Sequence, residues 1–333
     1  MIAIMRYIVI GAGAVGGTIG GRLFQAGHEV LLVARGAHRD ALARDGLRLL
    51  TPEAEHRLDV PVADGPVRLR DDDVLVLAVK SQDTVAALEP WPRHAPVVCA
   101  QNGVANERMA LRRFERVYGM CVWLPALHLE PGTVAAYGAP KSGLLQVGRY
   151  PGGTDELSER FAADLSASGF LGLAVPDVMR WKYAKLVGNL GNAYDALCGD
   201  WTGSDPVMER VFAEGRAVLD AAGIAYASME EERGRRGDQV EPRPVGGAGR
   251  GGGSSWQSLA RSSGSIETDY LNGEIVLLGR ELGVPTPANE VLQREAGRFA
   301  REHLPPGSMP PQELAALVDA ALVDAALAGT ASA

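Results

Sequence analysis

The chain has 333 residues, too long for one ordinary domain and enough for two that each bury a core. With 46% hydrophobic and 22% charged residues it reads as a globular chain, not a disordered or fibrous one. A formal charge of −8 argues against nucleic acid or an anionic membrane as partner, while leaving room for a local basic pocket that takes an anionic ligand.

The opening stretch MIAIMRYIVIGAG is apolar but short, lacks a basic leader and runs straight into glycines, so a buried strand is expected over residues 6–10 and no signal peptide. Residues 14–26 read as a helix ending at Gly27, and 29–34, 74–79 and 97–100 as further short apolar strands. Such runs separated by helical segments imply a parallel sheet covered on both faces. Over 117–148 the turn signals EPGT and GAPKSG separate runs that read as antiparallel strands added to the sheet edge. From residue 177 strand signals fade, and 178–199, 205–222, 264–282, 287–303 and 311–328 are expected to be helices. The stretch 228–253 is charged, then rich in Pro and Gly, without apolar periodicity; it reads as a surface loop or a lid over a ligand. No window of 18 uncharged apolar residues predicts a membrane span.

GAGAVG, formed by Gly11, Ala12, Gly13, Ala14, Val15 and Gly16, fits G-x-G-x-x-G between a predicted strand and a predicted helix. Gly11 suits the tight turn, Gly13 a close approach to a pyrophosphate, and Gly16 close helix–strand packing. The helix N-terminus adds free N–H donors. At the end of the second strand, where NAD-binding chains carry an acid for the ribose 2′-hydroxyl, stands Arg35 in VARG; a guanidinium there suits a 2′-phosphate and favours NADP over NAD. Arg39 could assist, although a solvated helix face also explains it.

On a continuous helix over 178–199, Lys185, Asn189 and Asn192 would form one polar stripe. It would border an apolar stripe of Leu186, Leu190, Ala193 and Leu197, with Gly188 and Gly191 on a third side open to close backbone approach. A sheltered lysine there needs partners or a ligand; a lysine reaching out to solvent beside two surface asparagines is the competing reading. In 254–274, Ser254 and Ser265 are candidate helix caps, and Glu267 is followed by apolar Tyr270, Leu271 and Ile275. Lys80 in AVKS and Asn102 in AQNG fall at the C-terminal ends of predicted parallel strands, where open α/β sheets bind ligands. Three scattered cysteines without C-x-x-C spacing read as small buried hydrophobes, and the six histidines form no H-x-x-x-H pair, so no metal site is expected.

Taken in order from residue 6 to about residue 290, GAGAVGG, the VARG arginine, AVKS, QNG, WKYAKLVGN and SIETDYLNG resemble the ketopantoate reductase family. The resemblance implies an α/β fold, with an N-terminal Rossmann-type NADP-binding domain over 1–176, an all-helical substrate domain over 177–333 and an active site in the cleft between. It implies NADPH-dependent reduction of a 2-keto acid to a 2-hydroxy acid, ketopantoate being the leading substrate. Another bulky 2-keto acid, or a non-catalytic NADPH sensor, are the alternatives. It assigns Lys185 as catalytic lysine and Glu267 as its acidic counterpart, and Asn102, Asn189 and Ser255 as substrate contacts, with Asn192 beside them. Lys80 falls to the cofactor side of the cleft, which Asn102 borders too. The expected setting is cytoplasmic, with a small-molecule 2-keto acid as partner; apolar faces on the C-terminal helices suit a homodimer. The chain departs from the family pattern where the second asparagine follows Asn189 after three residues instead of four, without the usual proline. It departs again where WQSL follows Ser254 and Ser255.

Overall fold

Tyr7 and Val9 point to one side of the strand Arg6–Ile10 and Ile8 and Ile10 to the other, each pair joining a separate apolar core. Ile19 and Leu23 of the helix Ala14–Gln25 close the first core, and Ala87 and Leu88 of the helix Thr84–Leu88 the second. Burial on both faces is why this strand is continuously apolar instead of alternating. In a computed structural model describing residues 5–199 and 205–331, it lies inside an eight-stranded sheet. The order is Leu171–Ala174, Leu144–Arg149, Val117–Trp123, Val97–Cys99, Asp73–Leu77, Arg6–Ile10, Glu29–Val33 and Val62–Ala63. All neighbours run parallel except Leu144–Arg149 against Val117–Trp123. The strand order reverses at Arg6–Ile10, with Glu29–Val33 on one side and Asp73–Leu77 on the other, so the loops leaving these strands diverge.

The sheet belongs to one compact unit, made of the chain up to Lys182 together with Ala227–Arg250. A second, helical unit comprises Tyr183–Tyr226 and the residues from Gly251 on. The division therefore falls inside the helix Val178–Asn189, six residues beyond the boundary expected after residue 176, and one later segment returns to the first unit.

That returning segment corrects the reading of 228–253 as a loop or lid. Ser228 opens the helix Met229–Arg236 with a capping box, its hydroxyl accepting from Glu231 N–H while the Glu231 side chain accepts from Ser228 N–H. Glutamates fill its first turn and arginines its last, complementing the helix dipole. Arg235 donates to Gln146 at 2.7 Å and lies 3.9 Å over the Trp181 ring; Arg236 lies 4.0 Å over Trp123. Val240–Pro242 then pairs with Gly138–Pro140. The expected edge strands over 117–148 are also divided. Thr133–Ala136 lies in a four-stranded sheet with Leu47–Leu50, Glu55–Leu58 and Ala126–Leu127, where its Val134 joins the same buried core as Leu47 and Leu49.

In the second unit Pro206–Ala221, Asn272–Leu282, Pro287–Arg301 and Pro311–Ala331 are helices. Val211, Val218, Ile275 and Leu292 are fully buried among them. The helix Pro287–Arg301 has no side-chain cap of its own. Glu214, from the helix Pro206–Ala221, accepts from the N–H groups of Ala288 and Asn289 at 2.9 Å and from the Asn289 amide at 2.8 Å. Two expected helices break. The first stops at Asn189 and restarts as Asn192–Cys198, since Gly191 is a poor helix former and the Leu190 carbonyl accepts from Asn272. The second opens as a 3-10 turn, Glu267–Tyr270, before Asn272–Leu282. Among the described residues no helix is long and apolar enough to cross a membrane.

Candidate active site

Gly11 takes a φ of +98°, and a Cβ there would stand 2.9 Å from the Val79 backbone nitrogen. A Cβ on Gly16 would run into the Gly11 carbonyl and stand 2.9 Å from Ala78 Cβ. Gly13 is the N-cap of the helix Ala14–Gln25; it offers no side-chain cap, and nothing lies within 4 Å of where its Cβ would be. No acid sits in the first turn, so Ala14, Val15 and Gly16 begin a helix whose N–H groups suit an anion. A cavity of about 320 Å³ opens at this switch point, lined among others by Gly11, Ala12, Arg35, His38, Asp83 and Trp91. Arg35 is exposed at its edge, whereas Arg39 pairs with Asp40 at 3.3 Å. These features fit a dinucleotide carrying a 2′-phosphate.

His38, which the sequence reading passed over, braces the glycine loop. Its Nδ1 accepts from Gly132 N–H at 2.8 Å, which leaves Nε2 to donate to the Ala12 carbonyl at 2.8 Å. No local pattern marks it, since Gly132 lies 94 residues away.

Lys80 and Asn102 stand at the ends of adjacent parallel strands, as expected. A buried side-chain network joins their two loops. Gln101 Nε2 donates to the Val79 carbonyl at 3.0 Å and to Thr84 Oγ1 at 2.8 Å; Thr84 donates to Asn106 Oδ1 at 2.8 Å. Asn106 Nδ2 donates to the Asn102 carbonyl at 2.9 Å and to Ser81 Oγ at 3.2 Å. The network uses the Asn102 backbone and leaves its side-chain amide out.

In the second unit Lys185 and Asn189 lie one turn apart on the helix Val178–Asn189. Lys185 is partly buried, and Asn189 is buried with no partner for its Nδ2 among the described residues. Asn192 does not continue their stripe, because the helix has broken; it starts the next helix and donates to Ser254 Oγ at 3.5 Å. Gly188 is exposed with nothing near its missing Cβ, so it serves no close packing. Neither serine acts as the expected cap: Gly253 precedes the helix Ser254–Ala260, its N–H donating to Asp195 at 2.6 Å, and Ile266 precedes the Glu267 turn. Ser255 and Glu267 are both buried. Asn272 ties the Glu267 turn to the residue after Asn189, donating to the Leu190 carbonyl and to Asn289 Oδ1 at 3.1 Å each. Among the described residues no group of three or more His, Cys, Asp or Glu could hold a metal ion. Burial pushes the Cys99 thiol well above its usual range, so it stays protonated.

A parallel sheet with a glycine loop at its switch point, followed by a helical unit, defines a Rossmann-type dinucleotide-binding protein. The sequence pattern described as ketopantoate reductase PanE/ApbA matches residues 7–152, and that of its C-terminal region matches residues 177–298. The chain belongs to this ketopantoate reductase family. It is similar to a 2-dehydropantoate 2-reductase of Halobacterium salinarum, 30% identical over 305 residues that span 86% of this chain and 96% of the relative. It is similar in structure to a PanE/ApbA family ketopantoate reductase from Ralstonia eutropha, with a TM-score of 0.74 and 30% identity over 90% of this chain and 99% of the other. D-mandelate dehydrogenase with NADH and anilino(oxo)acetate has a TM-score of 0.77 at 21% identity, over 90% of this chain and 99% of that one, and shares the fold.

Proposed function

We propose that the protein reduces ketopantoate (2-dehydropantoate) to pantoate with NADPH. Membership of the family supports the reaction class. The observation that carries the site is Asn189: a buried amide donor without a partner among the described residues, one turn from a partly buried lysine. Leaving such a donor unpaired costs about 1–3 kcal/mol, which is offset when a substrate oxygen accepts from it.

Gly11 to Gly16 would hold the pyrophosphate and Arg35 the 2′-phosphate. The dihydronicotinamide supplies the hydride when bound. Reduction of the keto group leaves negative charge on its oxygen, and Lys185 Nζ would stabilise that charge and donate the proton. General acid catalysis of this kind is worth about 10²–10⁴ in rate. Glu267, a buried carboxylate, would hold the ammonium or accept from a substrate hydroxyl. The amides of Asn102, Asn189 and Asn192 and the Ser255 hydroxyl would orient the carboxylate and hydroxyl groups without adding charge.

NADPH consumption against a panel of 2-keto acids tests the reading: ketopantoate is expected to give the highest kcat/KM. A better substrate elsewhere in the panel would reassign the pocket, and no turnover with any of them would end the enzymatic reading. Lys185→Ala should lower kcat by about 10²–10⁴ while NADPH binding is kept; normal turnover in that variant would remove Lys185 from its role.

A further inference from the structure

The most deeply buried ion pair among the described residues of the first unit is not among the residues assigned above. Lys182 precedes Lys185 by one turn on the helix Val178–Asn189, and Glu107 sits on the helix Asn106–Leu111. Their side chains are 2% and 0% exposed. Lys182 Nζ donates to Glu107 Oε1 in a short contact and to the Gln101 carbonyl at 3.0 Å. The second Glu107 oxygen has no partner among the described residues. Burial pushes the Glu107 carboxyl up, and the Lys182 ammonium only partly draws it back. Stability alone does not explain the arrangement, because desolvating two charges offsets most of their attraction, and an apolar pair of similar volume does as well or better.

What the pair does hold is one backbone atom. Gln101 directly precedes Asn102. Its side chain fixes the Val79 carbonyl, which directly precedes Lys80, while Asn106 fixes the Asn102 carbonyl. The backbone around both expected ligand contacts is thus clamped from behind, and Lys182 supplies the clamp on Gln101.

We propose that Lys182 is a positioning residue: held by Glu107, its ammonium fixes the Gln101 carbonyl and so sets the turn that presents Asn102 to cofactor and substrate. This rests on the reading of Asn102 as a ligand contact. Glu107 keeps the ammonium aimed. An uncharged group there would need a donor of the same reach to do the same.

The test replaces both partners at once. Lys182→Met combined with Glu107→Leu removes the donor without leaving a lone buried charge, so Tm should stay close to that of the parent. Turnover of ketopantoate should nevertheless fall at least tenfold, and hydrogen exchange of the amides of residues 100–106 should quicken at least tenfold. If turnover and exchange both remain at parent levels, the pair is merely structural and the proposal is overturned. Lys182→Arg, which keeps the cation and its donors, should hold turnover within about threefold with segment 100–106 still protected. If the double variant does not fold, this single variant decides: turnover and protection both retained would uphold the proposal, and loss of either would overturn it. A parent inactive on every 2-keto acid would defeat the proposed function instead, leaving exchange in the folded proteins to decide about Lys182.

Discussion

Asn189 and Arg35 show opposite relations between a side chain and its surroundings. Asn189 is buried with a donor that none of the described residues accepts from, so its amide costs stability. Asn189→Leu should therefore leave Tm unchanged or raise it, while raising the KM for the keto acid at least tenfold. A lower Tm with an unchanged KM would make the amide structural. Arg35 is exposed at the rim of the cavity and costs the fold little. A charge-assisted hydrogen bond to a phosphate contributes about 1.5–3 kcal/mol, so Arg35→Asp should weaken NADPH binding roughly 10- to 100-fold and NADH binding far less. Titration of both cofactors by fluorescence decides; equal loss would remove the 2′-phosphate role. The glycine turn, the place of Arg35 beside it and the one-turn separation of Lys185 and Asn189 were legible in the sequence, because their spacing is set within one loop or one helical turn. His38 and Lys182 were not. Each acts through an atom far along the chain, with 94 residues between His38 and Gly132 and 75 between Lys182 and Glu107.

At the scale of elements, one helix takes its cap from another. Glu214 supplies the acceptor that the sequence before Pro287 lacks, receiving three N–H donors at the helix start. Glu214→Ala would leave the buried Asn289 amide and two backbone donors short of an acceptor. It should destabilise the protein by about 2–3 kcal/mol in chemical denaturation, whereas a value within 0.5 kcal/mol would show that other groups satisfy them. The helix Met229–Arg236 presents the same contrast. Its capping box and dipole-matched charges were present in the sequence, but a Gly- and Pro-rich continuation masked them. What holds it is the stacking of Arg235 and Arg236 on Trp181 and Trp123, residues remote in sequence. The break after Asn189 belongs here too: an apolar and polar periodicity continued through Gly191, and the contact of Asn272 with the Leu190 carbonyl, remote in sequence, helps fix where the helix stops.

For the whole molecule, a ligand that binds only the folded state stabilises it in proportion to its saturation. NADPH at about 100 times its Kd should add about 2.7 kcal/mol to the stability of the sheet-containing unit. Thermal scans should show the full rise in the parent and only about 0.4–1.4 kcal/mol of it in Arg35→Asp at the same NADPH concentration. An equal rise in both would mean that the cofactor is held elsewhere. The sequence by itself determined the parallel sheet, its glycine loop and the change to helices beyond residue 177. Two-sided burial, tight turns and helical periodicity are written into neighbouring residues. Only the tertiary structure decided that Ala227–Arg250 returns to the first unit, that Thr133–Ala136 joins a second sheet, and that a lysine beside the expected catalytic one is locked to Glu107. Those outcomes depend on which distant surfaces meet, and burial energy is gained from the partner a residue finds, not from its neighbours along the chain.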